Sequence, residues 1–347
     1  MNGGPLAMVV SPSPGSRVGG VEHHCGLVGD VLRADGWRVE EIGPRYEAGW
    51  WAERSGVHHV ARSWAALREA RTRRPDLIVS NGTLGLGAPR GVPRIHVYHG
   101  TMVEHVRRGE RSLRPRVFWP HIVGAAAAEA GAAVGATTVA VSDTTAAEVR
   151  RWYRERVDAV VPLCVDHEHF RPRDRAAARA RFGLPADERL ALYVGRLEER
   201  KGSDLLDPVC SRAGFTLAVA GPDRPATGHH LGALGHDDLP WAYAAADVLL
   251  FPTRYEGFGF IAIEAAACGI PVVTTPTGWA ASLCARVPGY APFVVEPRED
   301  LLVAALERIA TGAGPPVEAA AALVREEHGL TRWQERWRAV IAGVRRG

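Results

Sequence analysis

The sequence predicts an α/β protein made of two Rossmann-like domains that face each other across a cleft. Short apolar runs alternate with longer helical patterns along all 347 residues, as parallel sheets covered by helices require. Most of these runs are apolar at successive positions, the mark of strands buried on both faces. The series also restarts. After the stretch Pro162 to Pro172 and the arginine-rich segment Arg173 to Arg181, a second set of strands begins with a basic loop of its own.

Taken in order, the predicted strands of the first half are Leu6–Val10, Asp76–Ser80, Arg94–Tyr98, Thr138–Val141 and Asp158–Leu163. Those of the second half are Leu190–Val194, Thr216–Ala220, Val248–Phe251 and Val272–Thr275. Ligands of such folds bind at the carboxyl ends of the strands. Thr331 to Ile341 reads as a capped amphipathic helix with Trp333 and Trp337 on one face. The domains expected are residues 1–165, residues 166–325 and a terminal helical segment, 326–347.

Composition narrows the classes. A hydrophobic fraction of 46% and a charged fraction of 23% suit a soluble globular protein. A formal charge of +3 is too small to argue for nucleic acid, though compatible with anionic substrates. The five cysteines are scattered, odd in number and without a close pair, which predicts a reducing cytoplasm and neither disulfide nor zinc framework. Leu6–Val10 lacks a basic leader and runs into Pro12, so no secretory signal is expected. Ile122 to Val141 carries Glu129 and reads as a helix followed by a strand rather than a membrane span. A cytoplasmic location follows, open to peripheral membrane contact but without an integral anchor. The histidine pairs 23–24, 58–59 and 229–230 point in different directions on any helix or strand and offer no metal-ligand spacing.

The most informative segment is Arg254-Tyr-Glu-Gly-Phe-Gly-Phe-Ile-Ala-Ile-Glu264. It follows a buried strand and opens an alanine-rich helix that Gly269 and Pro271 stop. Gly257 and Gly259 let a ligand approach the backbone, and the helix start at Phe260 and Ile261 favours a phosphate. Glu256 and Glu264 can accept hydrogen bonds from hydroxyls. Together these features point to a nucleotide-sugar site, against the blander reading of two solvated glutamates.

Upstream, Gly195-Arg196-Leu-Glu-Glu-Arg-Lys201-Gly202 supplies a guanidinium fork and a compact cation, both suited to a diphosphate. Near the start, Gly19-Gly20-Val-Glu22 lies between the first strand and a helix. Ile95-His-Val-Tyr-His99-Gly100 puts His99 at a strand end, while His96 lies within the strand and reads as structural. Ser142 reads as a helix cap. Arg107 to Arg116, with Phe118 and Trp119, could face an anionic acceptor or a membrane surface, but fits a solvated helix or loop better.

The segments 195–202 and 254–273 resemble the signature of the retaining glycosyltransferases of family 4, which have the two-domain GT-B fold. The resemblance covers nearly the whole chain and is strongest over 190–275. It implies transfer of a hexose-type sugar from a nucleoside-diphosphate sugar (UDP first, GDP next) to an acceptor hydroxyl, with retention and without a metal or other cofactor. It implies catalytic roles for Arg196, Lys201, Glu256 and His99. Donor contacts would come from Gly19, Gly20, Arg196, Lys201, Glu256, Gly257, Phe258, Gly259, Phe260, Ile261 and Glu264, with Leu234 and Gly235 toward the base. Gly20, His99 and Arg107 would border the acceptor, and the last helix would cross back to the first domain. Two stretches depart from the family's pattern: Pro162-Leu-Cys-Val-Asp166 at the linker, and Trp279-Ala-Ala-Ser282 after Gly278. Linker geometry and donor-sugar identity therefore do not carry over. A sugar-nucleotide 2-epimerase and a non-catalytic nucleotide-sugar binding protein are the competing readings.

Overall fold

The computed structural model of the chain describes residues 4–16, 19–44, 57–109 and 115–344. Arg17 and Val18 of the glycine loop and residues 110–114 of the arginine-rich stretch lie outside the described residues, as do the side chains of His58, His59, Phe118 and Trp119. The chain forms two compact units: residues 1–163 with 333–347, and residues 164–332.

The first unit holds a parallel sheet in the order β2-β1-β3-β4-β5-β6. Its strands are β1 (Leu6–Val10), β2 (Arg38–Ile42), β3 (Leu77–Asn81), β4 (Arg94–Tyr98), β5 (Thr137–Ala140) and β6 (Ala159–Val160). The second unit repeats the plan in the order β11-β10-β7-β8-β9. Here the strands are β7 (Leu190–Val194), β8 (Thr216–Ala220), β9 (His229–Gly232), β10 (Val248–Phe251) and β11 (Val272–Thr274). In each sheet the chain adds strands on one side and then crosses to the other. The reversal falls between β1 and β3 and between β7 and β10, where Rossmann-like sheets open a crevice at their carboxyl ends.

Eight of the predicted strands sit within one residue of the observed positions, but the sequence reading needs three corrections. It missed β2 and β9, and it overextended β6, which is two residues long rather than Asp158–Leu163. All three are edge strands. An edge strand is not sandwiched on both sides, so Arg38-Val-Glu-Glu-Ile42 and His229-His-Leu-Gly232 carry charges and histidines instead of an apolar run.

Central strands are buried along their length, and helices cover them. In the first unit Met8, Val10, Ile78 and Leu67 share one core cluster. In the second, Leu190 packs with Ala178, Leu184 and Ala244. The helix Arg175–Phe182 begins at Asp174, whose side chain accepts from the Ala177 N–H at 2.7 Å. Arg179 of this helix is buried, and its guanidinium is used in full. It donates to the main-chain oxygens of Ala245, Pro185, Ala186 and Glu188 and to Asp247, which also accepts from the Leu190 N–H at 2.8 Å. A buried charge is tolerable only when paired and hydrogen-bonded in this way, and here it ties the first strand of the unit to β10.

The helix Leu330–Ala342 turns Trp333, Trp337 and Val340 inward. Both indoles pack against His24, at centroid distances of 5.9 and 5.4 Å, and Arg338 pairs with Asp35 at 2.9 Å. The helix therefore completes the wall of the first unit. Among the described residues no helix is long and apolar enough to cross a membrane.

Candidate active site

In the second unit the two chemically loaded loops leave β7 and β10, the strands that flank the crossover. The first loop is short and heavily pinned. Tyr193 donates its hydroxyl to the Arg196 oxygen at 2.6 Å, and Asp223 accepts from the Leu197 N–H at 2.8 Å. Lys201 ends a single 3-10 turn, Glu199–Lys201, with Nζ directed toward Gly195. Arg196 points outward, about two-thirds exposed, and pairs with Glu198 at 3.0 Å.

Gly202 joins this loop to the second. Its φ is +76°, and a Cβ there would stand 2.2 Å from the Pro252 oxygen, so only glycine lets the two backbones touch. Arg254 completes the junction. Its N–H donates to the Arg200 oxygen at 2.8 Å, its guanidinium donates to the Glu199 oxygen, and the same group grips Asp204. Arg200, a residue to which the sequence assigned no role, lies 3.8 Å from Glu256 and 3.1 Å from the Tyr255 oxygen. Arg254 stood in the motif without a role; its burial and its fork of donors make it the clamp between the loops.

Beyond Glu256, Gly257 and Phe258 are buried, and Gly259 caps the helix Phe260–Ala267. Gly278 braces the loop from the other side. A Cβ on it would meet the Phe258 oxygen at 2.2 Å, and the Trp279 N–H donates to that oxygen at 2.9 Å. Trp279 itself is buried, edge-on to His328. This departure from the family's pattern is thus part of the packing.

Glu264, on the buried face of its helix, accepts from the Tyr243 hydroxyl at 2.7 Å. Burial raises its pKa to about 7, while the tyrosine hydrogen bond pulls the other way. Tyr243 is fully buried and its own pKa lies well above the ordinary value, so it remains a donor. No sequence signal marks it, since one tyrosine inside an alanine-rich helix makes no motif. Leu234 and Gly235 lie just before that helix, Leu239–Ala245, and the Gly235 oxygen accepts from the Asp238 N–H. His236 next to them stacks flat on His169, with centroids 4.4 Å apart.

In the first unit, Gly19 caps the helix Gly20–Ala34 that follows β1. His99 follows β4. Its Nε2 lies 2.8 Å from Oδ1 of Asn81, the last residue of β3, and the ring of His24 packs edge-on against it at 4.7 Å. Burial lowers the His99 pKa to about 4, so the ring is neutral at physiological pH. His96 is buried with Nδ1 3.0 Å from the Ser80 hydroxyl, in keeping with a structural part. Ser142 caps its helix, accepting from the Thr145 N–H at 3.0 Å. Arg107 is half exposed and bonded to the buried carboxylate of Glu104, which also takes Arg108 and the Trp152 N–H. Its charge is already matched. Glu129, also buried, accepts from the Met102 N–H at 2.9 Å and from the Tyr153 hydroxyl, and burial lifts its pKa to about 7.

Comparison with known proteins agrees with this geometry. Residues 188–311 match the family model for glycosyl transferases group 1, and residues 18–169 match that for glycosyltransferase family 4. A D-inositol 3-phosphate glycosyltransferase of Mycobacterium tuberculosis is 38% identical over 143 residues, 35% of this chain and 30% of that relative. The match therefore spans less than a third of the curated relative's length. A sucrose-phosphate synthase from Thermosynechococcus elongatus superimposes with a TM-score of 0.76 at 23% identity, covering 98% of this chain and 99% of that one. Alr3699/HepE of Anabaena, solved with UDP and glucose, gives 0.71 at 16% identity, covering 98% and 100%. The chain belongs to the family 4-type glycosyltransferases and has the GT-B class of fold.

Proposed function

We propose that the chain transfers a hexose-type sugar from a nucleoside-diphosphate sugar to an acceptor hydroxyl, with retention and without a metal. The observation that carries this reading is the junction of the 195–202 and 252–259 loops at the crossover of the second sheet, made by Gly202 and Arg254. It holds a cationic loop beside a glycine-rich helix start, a combination suited to a diphosphate. Lys201 and Arg196 would stabilise the leaving nucleoside diphosphate as its charge develops. The first-turn N–H groups of the helix Phe260–Ala267 would face the phosphates, Glu264 the ribose and Glu256 the sugar. His99 would contact the donor sugar, with Gly19 and Gly20 nearby, and the acceptor would approach by Gly20, His99 and Arg107. Leu234 and Gly235 would border the base.

UDP is the favoured nucleotide, in line with the solved complex of Alr3699/HepE, and GDP comes next. For the acceptor, the mycobacterial relative's name offers an inositol phosphate as the first compound to try. The protein would act in the cytoplasm.

The test is a thermal-shift screen of UDP, GDP, ADP, dTDP and their common sugars, since a ligand of the folded state must stabilise it. One nucleotide should raise the melting temperature in the native chain and not in Glu264→Ala. No shift with any of them at millimolar concentration would count against the donor site. Proton NMR of the glycoside formed then reads the anomeric configuration directly. Donor conversion without an acceptor product would instead indicate an epimerase.

A further inference from the structure

Asn81 closes β3 with a side chain fixed from both ends. Its amide nitrogen lies 2.9 Å from the main-chain oxygen of Val10 and 3.2 Å from the sulfur of Cys25. A carbonyl oxygen only accepts, so the atom facing Val10 must be the NH₂ group and the opposite atom the amide oxygen. That oxygen is the one 2.8 Å from Nε2 of His99. An amide oxygen also only accepts, so Nε2 of His99 carries a hydrogen. The ring is neutral, as its lowered pKa requires, and Nδ1 is therefore left with a lone pair. His99 is partly exposed, and Nδ1 has no hydrogen-bond partner among the described residues. The edge-on ring of His24 resists a flip that would exchange the two ring faces.

We propose that Asn81 is a positioning residue that locks His99 in the Nε2–H tautomer, so that Nδ1 accepts a hydrogen bond from a hydroxyl of the bound donor sugar. The proposal rests on the donor-site reading above. It adds a rule of selection: the group meeting His99 must itself donate a hydrogen. A hydroxyl qualifies; a fluorine or an ether at the same carbon leaves two acceptors face to face. Without Asn81 the ring is free to present N–H at Nδ1 and the rule is lost.

The experiment uses the full chain labelled with ¹⁵N-histidine, with the His99 signals identified by their loss in His99→Gln. The native ring should show the neutral Nε2–H signature at neutral pH, and Asn81→Ala should show a mixture of tautomers. A native Nδ1–H ring, or an unchanged ring in Asn81→Ala, overturns the proposal. Should Asn81→Ala not fold, Asn81→Asp keeps an acceptor and adds a charge. It should then raise the titration midpoint of His99 by about 1–3 pH units, and no rise overturns the proposal equally. Calorimetric titration with UDP and with UDP-glucose tests the sugar contact. Asn81→Ala should weaken UDP-glucose about twofold, the cost of drawing the accepting tautomer from a mixture, and leave UDP unchanged. Equal weakening of both, or a native chain that gains nothing from the glucose, overturns that contact. A native chain that binds neither ligand sinks the donor-site reading instead, while the ring spectra still decide whether Asn81 sets the tautomer.

Discussion

Arg254 holds Asp204 with two N–H···O contacts, each 2.7 Å. The pair joins the loop after β10 to the helix that follows Lys201. Arg254 is buried, with further donations to the 199–200 backbone, whereas Asp204 is about half exposed. Arg254→Ala strands the Glu199 oxygen and frees both loops, so it should lower stability by about 1–3 kcal/mol and weaken UDP binding about tenfold or more. Arg254→Lys keeps the charge without the fork and should recover only part of each. Denaturant unfolding and UDP titration read the two effects separately, and undiminished UDP affinity in Arg254→Ala would show that the clamp does not shape the site.

The glycine junctions should be equally intolerant. At Gly202 a methyl group falls 2.2 Å from the Pro252 oxygen, at a φ that disfavours any side chain. Gly202→Ala should destabilise the unit by about 1–3 kcal/mol and weaken donor binding as well. Gly183 has a similar φ, +64°, but open space beyond it. Gly183→Ala is therefore the control, carrying backbone strain without the clash, and should spare the donor site. Melting curves and UDP titration of the two variants make the comparison.

Lys201 carries the strongest catalytic expectation. Removing a cation that stabilises the leaving diphosphate should lower the transfer rate by on the order of a hundredfold. Lys201→Ala measured with saturating donor and acceptor gives the answer, and an unchanged turnover would remove Lys201 from the mechanism.

Glu264 predicts a pH signature. Its pKa in the free protein is raised to about 7 by burial. If ribose hydroxyls donate to it, the ligand favours the ionised form, and binding must expel the proton that a neutral carboxyl holds. Donor affinity should then rise with pH between about 6 and 8, the range around that pKa. Calorimetry near pH 7 in buffers of different ionisation enthalpy should detect proton release, reduced in Glu264→Gln. Buffer-independent heats would contradict the role assigned to Glu264.

Charge on the leaving group is expected to be met by side chains and backbone alone. Transfer should therefore survive treatment with EDTA and gel filtration, with less than a twofold change in rate. Loss of activity restored by magnesium or manganese would show that a metal shares the work of Arg196 and Lys201.

How far the sequence could be read depended on whether burial left a local trace. β1, β7 and β10 announced themselves because strands covered on both faces must be apolar throughout. β2 and β9 did not, since an edge strand can keep its charges. In the site, the glycine and carboxylate spacing of 254–264 is a local property, legible without a structure. Asn81 and Tyr243 act through residues 18 and 21 positions away. Neither sits in a motif, because what singles them out is contact across a sheet or between helices. The one available sign was a polar pair, Ser80 and Asn81, ending a strand that starts apolar.

The indoles of Trp333 and Trp337 also set a timetable. They cover His24, which in turn packs on His99, yet they leave the ribosome only after every residue of the second unit. The first unit is begun first and finished last. Closing a loop of about three hundred residues costs only modestly more entropy than closing a short one, but it cannot happen before the chain is nearly complete. Until then His24 and its neighbours stay uncovered, an apolar opening for chaperones during synthesis. A chain released before residue 333 would carry that opening permanently, and the cell would meet it as a misfolded protein even with all the loops of the second unit in place.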